Sequence, residues 1–291
     1  MKPGIYNDLT NEQYHASPGV SKSGLWTIYT QTPAHYKFAE RERKPQFDIG
    51  TAAHYALLQP ELLETKVVEG PPDRRGNRWI DAQNQADARG LILLTAGDYA
   101  TAMRLRDAGA RNATLLDVQR GAIVEHSGFA QDPETGALLR CRPDAYNPRL
   151  GLIADLKSAA EAGPVKFGKA VSDFGYHMQE AFYTDVWNVA SQYASASWQS
   201  EPDGADAVSA FVFIVIEKKA PFCVACYELK PAAVEEGRQA YKRALRMYAQ
   251  CEERERLGMP PALAWPGYSS EIQELDIPRW GYRLTQPEDD Q

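Results

Sequence analysis

A mixed α/β (α+β) fold, a mixed β-sheet flanked by helices with an N-terminal helical region, is predicted for this 291-residue chain by three observations. Residues 1–115 carry mainly helical periodicity and caps. Residues 116–260 open on alternating strand and turn signals and then mix helices with two apolar strands, and no internal repeat or low-complexity run breaks the pattern. Residues 261–291 read as a Pro-rich tail, and the whole 1–291 span is expected to form one domain.

In chain order, "PGVSKSGLWTIY" offers Ser21 or Ser23 as an N-cap, Pro33 restarts a helix in "TPAHYKFAERER", and "DIGTAAHYALLQP" forms a third that stops before Pro60. "ETKVVEG" predicts a short strand and "PPDRRGNR" a loop. Residues 79–111, polar and alanine-rich with a helical period, predict two surface helices. "GAIVEHSGFAQ", "ALLRCRPDAY" and "LIADLKS", separated by "DPETG" and "NPRLG", predict an antiparallel meander. Helices within 164–197, a break at "SEPDGAD", the strands "AVSAFVFIVIE" and "APFCVACYEL", and a charged helix from Pro231 to about Leu257 complete the order.

Composition narrows the class. With 44% hydrophobic residues the chain has enough apolar material for a core, but no run reaches the roughly 20 residues of a membrane span. "MKPGIYNDLT" lacks the apolar stretch of a signal peptide, so a cytoplasmic location and no membrane partner are expected. Four cysteines do not make a disulfide framework here. Cys223 and Cys226 have no second pair at ligand spacing and are read as buried strand residues. A net charge of −7 attracts no polyanion globally, so any nucleic-acid surface has to be local, built from clusters such as Arg74, Arg75 and Arg78.

The informative step is a hairpin. If Pro148 to Gly151 is a four-residue loop, Asn147 faces Leu152 and the register sets Asp144 opposite Asp155. Opposed like charges roughly 5 Å apart destabilise a sheet unless a cation lies between them. Lys157, two residues beyond Asp155, shares its face. Two carboxylates and the Leu156 carbonyl then make an oxygen-rich site suited to Mg²⁺, with Mn²⁺ as a substitute. A rim ion pair with a turn aspartate is the plain alternative.

The surroundings favour the metal site. Pro143 and Asp144 followed by Asp155-x-Lys157 resemble the PD-(D/E)xK nuclease superfamily, and Gly50…His54, Glu125 and Gln179…Tyr183 occur in the order of its RecB-like branch. "GIYNDLTNEQYHASPGVSKSGLWTIYTQTPAHYK", "GTAAHYALLQP" and "YHMQEAFYTDVW" are similar to the exodeoxyribonuclease VIII family of phage recombination exonucleases over roughly residues 4–230. The resemblance implies a restriction-endonuclease-like core. It further implies a processive enzyme in a bacterial host cell that digests the 5′-ended strand of linear duplex DNA, leaving a 3′ overhang. A single-strand annealing protein and a homo-oligomeric ring, trimer or tetramer, come with it.

Asp144, Asp155 and the Leu156 carbonyl are assigned to the principal metal, with Glu125 and His54 helping to hold a second ion or its waters. Lys157 orients or deprotonates the water, and Gln179 and Tyr183 position Lys157 and the phosphate. Ser21, Lys22 and Ser23 offer hydroxyls, a cation and free amides for a 5′-phosphate. Taken singly, each feature also has a bland explanation: a solvated glutamate, an amphipathic helix face, a core histidine, a plain N-cap. The rivals are a structure- or sequence-specific endonuclease of the same superfamily, and a DNA-binding or assembly factor without catalysis. An unrelated metal-dependent hydrolase of small substrates lacks its usual His-rich ligands here.

Overall fold

Strand β9 (Leu152–Ala159) is apolar because both of its faces are covered. Its Ile153 joins one core with Phe213, Val215, Met178 and Phe182, while Leu152, Ala154 and Leu156 join a second core with Ile214, Ala53, Leu57 and Leu105. The computed structural model describes residues 1–40, 47–193 and 207–277. The whole "SEPDGAD" break, the end of the 164–197 segment and the last part of the tail lie outside the described residues.

Eleven strands are found among them. They are β1 (Gly4–Tyr6), β2 (Val20–Ser21), β3 (Val67–Glu69), β4 (Ile92–Leu94), β5 (Ile123–Val124), β6 (Ser127–Gln131), β7 (Leu138–Cys141), β8 (Ala145–Asn147), β9, β10 (Ala210–Glu217) and β11 (Val224–Tyr227). A five-stranded mixed sheet runs β11-β10-β9-β8-β5, with β9 and β10 parallel. A four-stranded sheet runs β1-β6-β7-β2, and β3 pairs with β4 alone. The mixed α/β class is thus as predicted.

Several local expectations change. The meander is not one sheet: β6 and β7 form a hairpin in the four-stranded sheet, whereas β5, β8 and β9 belong to the five-stranded one. Pro143 explains the division within "ALLRCRPDAY", because it has no amide N–H to continue a ladder. Only the end of "ETKVVEG" is strand; Pro60–Lys66 is helical, with Pro60 at its first turn. Residues 79–111 hold β4 between the helices Gly76–Ala88 and Ala96–Gly109, and the second buries Ala102, Leu105 and Ala108 rather than lying on the surface. The N-terminal region contributes β1 and β2 as well as helices.

The hairpin register is as read from sequence: Asn147 pairs with Leu152, Tyr146 with Ile153 and Ala145 with Ala154. Gly151 closes the four-residue loop at φ +56°, a left-handed conformation that glycine adopts without a Cβ clash. Against the other face of β9 packs the helix Tyr176–Ser191, in turn covered by Pro231–Arg256. Gly237 lets these two helices meet, since a Cβ there would stand 2.2 Å from the His177 carbonyl oxygen. No helix among the described residues is long and apolar enough to cross a membrane.

Candidate active site

Two neighbouring chain segments change sheet at the same level. One passes from β5 to β6 through Glu125 and His126, the other from β7 to β8 through Arg142, Pro143 and Asp144. Glu125 has φ 58°, uncommon for a residue with a Cβ and the kind of local strain that marks functional sites. Its amide donates to the Asp144 carbonyl at 3.2 Å. The β8–β9 ladder ends at Ala145, and the Asp144 side chain substitutes for the next backbone acceptor: Leu156 N–H donates to Asp144 Oδ2 at 2.6 Å.

The helix Phe47–Leu58 brings His54 to this junction, with Nδ1 3.6 Å from Asp144 Oδ1. His54, Glu125 and Asp144 each offer a ligand atom, and these atoms lie within 4.8 Å of one another. One imidazole and two carboxylates suit a divalent ion such as Mg²⁺ or Mn²⁺. The Glu125 carboxyl is pushed up to about 7 by burial first and by Asp144 second, against the opposing pull of His54 and Arg142. A cation bound here would relieve that crowding of negative charge.

Beside this cluster, on β9, the buried Asp155 is 2% exposed and turned toward other partners. Its Oδ2 pairs with Lys157, and its Oδ1 accepts from Gln179 Nε2. Gln179 Oε1 in turn accepts from Lys157 Nζ at 3.1 Å, so one amide holds both members of the pair. Lys157 Nζ also sits 4.5 Å from the centre of the Tyr176 ring. Burial raises the Asp155 carboxyl, opposed by Lys157. For Lys157, burial favours the neutral amine, but Asp155 and Asp144 outweigh it and hold the ammonium form. In the metal-free protein the carboxylates therefore win over desolvation, and the amine is a donor. Burial keeps the Tyr183 hydroxyl protonated, and Tyr14, Asp155 and Asp144 reinforce it.

A family model described as a PDDEXK-like domain of unknown function (DUF3799) matches residues 30–261. The chain belongs to that family. A crystal structure titled "Putative exonuclease" from Eubacterium rectale is similar to this PDDEXK-like chain with a TM-score of 0.56 at 15% identity, covering 96% of this chain and 98% of that one. At that identity the likeness shows the fold. No curated protein matches.

Six of the predicted side chains form two adjoining groups. His54, Glu125 and Asp144 converge, and Asp155, Lys157 and Gln179 converge beside them, with Leu156 joined to Asp144 through its amide. The hydroxyl oxygens of Ser21 and Ser23 lie 3.0 Å apart, and Lys22, between them in sequence, donates from Nζ to the Phe174 carbonyl; its amine is lowered to about 7 by burial first and by Lys157 second. Ser21 is the N-cap of the helix Lys22–Thr30.

Arg74, Arg75 and Arg78 do not join them through any contact among the described residues. Arg74 pairs with Asp98 and covers Trp79, Arg75 pairs with Asp73, and Arg78 is exposed. Gly50 does not mediate a close approach, because a Cβ there would meet nothing within 4 Å. Cys223 is exposed and Cys226 half-buried, which corrects their reading as buried strand residues: Cys223 precedes β11, in the turn from β10.

Two groups were not singled out from sequence. Arg142 lies over the Tyr14 ring, donates to Leu9 O at 2.8 Å and to Ser127 Oγ, and approaches Glu125 Oε2 at 3.9 Å. Tyr176 lies beside both Lys22 and Lys157. The adjacency of Arg142 to the Pro143-Asp144 pair was a usable signal; for Tyr176 there was none.

Proposed function

We propose that this chain is a metal-dependent DNA exonuclease acting on the ends of linear double-stranded DNA, with Mg²⁺ as the natural ion and Mn²⁺ as a substitute. The observation that carries this reading is the adjoining placement of a His54–Glu125–Asp144 ligand set and an Asp155–Lys157–Gln179 triangle. Asp144, Glu125 and His54, with Asp155 alongside, would hold a divalent ion, which when bound would supply charge relief at the phosphate and acidify an attacking water.

The protein's own groups do the rest. Lys157, held as an ammonium by Asp155, donates to the water or to a non-bridging phosphate oxygen and fixes the line of attack. Gln179 keeps Lys157 from rotating away, because its carbonyl end is committed to Lys157 only while its amide end is held by Asp155. Tyr183, protonated, remains a hydrogen-bond donor. The similarity to the exodeoxyribonuclease VIII family supports 5′-to-3′ digestion, a 3′ overhang and a role in recombination by strand annealing. It also supports a ring assembly and an annealing partner.

The test is digestion of a linear duplex with a labelled 5′ phosphate, with and without Mg²⁺, beside a closed circle. Mg²⁺-dependent loss of the linear substrate alone is expected, with Lys157→Ala and Asp155→Ala inactive. Cutting of the circle would replace this reading by an endonuclease, and undiminished activity of either variant would remove the mechanism.

A further inference from the structure

A cationic turn lies at the same edge of the five-stranded sheet as the candidate site, one strand away. β9 and β10 run parallel with Ala159 level with Glu217, so their carboxyl ends lie together, and the antiparallel β8 starts at that edge, directly after Asp144. In open α/β sheets this is the edge at which ligands bind. β10 returns to β11 through a turn closed by Glu217 N–H donating to Cys223 O at 3.0 Å and Phe222 N–H to Lys219 O at 2.8 Å. The Lys218 amide donates to Ala159 O at 2.9 Å, which pins the turn to β9 just beyond Lys157. With about 3.3 Å per residue along a strand and about 4.8 Å between strands, the Lys218 backbone stands roughly 10 Å from that of Lys157. It lies on the side away from Asp144, because the strand order is β10-β9-β8.

Lys218 and Lys219 are both exposed. A third cation reaches the turn from the helix Ala96–Gly109: the guanidinium of Arg104, also exposed, lies 5.9 Å from the centre of the Phe222 ring. Among the described residues none of the three enters an ion pair, and Glu217, the acid at the base of the turn, accepts from the Ala162 amide at 3.0 Å. Phe222 has φ 59°, a left-handed conformation that costs energy in a residue with a Cβ and that concentrates at functional sites. Its ring is half-buried against the core that holds Leu156 and Ile214, so the backbone and the packing together fix the surface on which Arg104 rests. The chain as a whole carries a net charge of −7, and these three unpaired cations stand out against it. Exposed amines and a guanidinium on a rigid turn neutralise phosphates without reading bases, which matches the backbone of a duplex.

We infer that Lys218, Lys219 and Arg104 hold the phosphate backbone of duplex DNA beside the site, about three base-pair steps from the bond that is cut, at about 3.4 Å per step. The inference rests on the nuclease reading above and deepens it. A contact of this kind is blind to sequence and weakens with salt. It supplies locally the attraction for a polyanion that the net charge of the chain denies.

The full-length protein, without divalent metal, is titrated by fluorescence anisotropy into a labelled linear duplex at several KCl concentrations. Each phosphate contact adds about 0.9 to the slope of log K against log salt. The slope is therefore expected to flatten by about 2 in the double variant Lys218→Gln/Lys219→Gln and by about 1 in Arg104→Gln. Lys218→Arg/Lys219→Arg and Arg104→Lys, which keep the charge, restore it. A neutral methylphosphonate placed about two to four nucleotides from the scissile bond weakens binding by wild type and not by the double glutamine variant. An unchanged slope in that variant, or a methylphosphonate effect that survives in it, would overturn the contact. An unchanged slope with an altered sedimentation coefficient would overturn it too, and would make the turn a protein–protein surface. Slope changes as expected in a protein that hydrolyses no DNA with Mg²⁺ would instead overturn the nuclease reading and leave the DNA contact standing.

Discussion

The amide of Glu125 donates to the carbonyl of Asp144 at 3.2 Å, at the level where both chain segments leave one sheet for the other. A sheet-to-sheet crossing leaves ladder groups without their regular partners, and here those groups are answered by the acids that occupy the crossing. Asp144 has two duties in consequence: its Oδ2 receives the Leu156 amide, and its Oδ1 faces His54. The Asp144 carboxylate is held by a backbone amide and the two acids are tied through their main chains, so the geometry does not depend on side-chain packing alone.

The two duties are separable by substitution. Asp144→Asn retains an oxygen for the Leu156 amide but loses the charge, whereas Asp144→Ala loses both. Both variants are expected to weaken Mn²⁺ binding by at least about 10-fold, as measured by calorimetric titration. Only Asp144→Ala should also lower the urea midpoint, by the equivalent of about 1–3 kcal/mol for a desolvated, unpaired amide. Equal midpoints for the two variants would show that the Leu156 contact contributes nothing.

Gln179 is bonded to both Asp155 and Lys157. Replacing it by Leu fills the space but releases Lys157 from its second anchor. We expect kcat to fall about 10- to 100-fold with KM for DNA little changed, because the loss lies in positioning the amine rather than in holding the strand. A rise in KM with kcat intact would place Gln179 on the DNA instead.

How far the sequence discloses this site depends on the range of the interaction. The hairpin was legible because Asn147, the Pro148–Gly151 loop and the alternation along β9 are local, and a register follows from a turn length. The spacing of Gln179 and Tyr183 put them on one helix face, and the structure sets Gln179 on Asp155 as that face implies. The division of the meander was not legible, because a proline inside an apolar run signals a break but not that the next strand joins another sheet. β4 was hidden by its length: "ILL" between two alanine-rich helices satisfies either period. Arg142 and Tyr176 act across residue separations that no periodicity encodes. The cysteine pair was misjudged because a strand was extended backward over Cys223, which belongs to the preceding turn.

Arg140 should matter for stability rather than chemistry. It is buried on β7 and its Nη1 is shared among the carbonyls of Tyr14, His15 and Ser17, at the end of the helix Asn11–Ala16. A guanidinium at a helix C-terminus satisfies carbonyls that have no intrahelical donor and complements their partial negative charge. Arg140→Met removes the guanidinium donor from all three carbonyls and leaves that of Tyr14 only the Ser17 amide, at a cost of about 1–3 kcal/mol, read as a lower urea midpoint. Proteolysis within residues 1–20 should become faster in the variant. An unchanged cleavage rate would mean that β1 pairing to β6, not Arg140, holds the segment.

Glu180 gives a pH dependence that does not involve the acid cluster. It lies buried on the helix Tyr176–Ser191 with Oε2 lacking a hydrogen-bond partner, and its carboxyl is pushed up to about 8 by burial first and by Glu228 second, with Arg238 opposing. Arg238 is itself committed to Asp185 and Glu235, so it does not neutralise Glu180 by contact. The folded protein therefore retains a proton that the unfolded chain releases near the ordinary glutamate value. Since the native state binds more protons, stability falls as pH rises from about 4.5 to about 8, and is level above that. Glu180→Gln removes the titration while keeping the shape. Thermal unfolding of the metal-free protein across pH 5 to 9 should show a declining Tm for wild type and a flatter profile for Glu180→Gln, with the variant the more stable at pH 9. Parallel profiles would mean that Glu180 is already ionised and solvated in the native state.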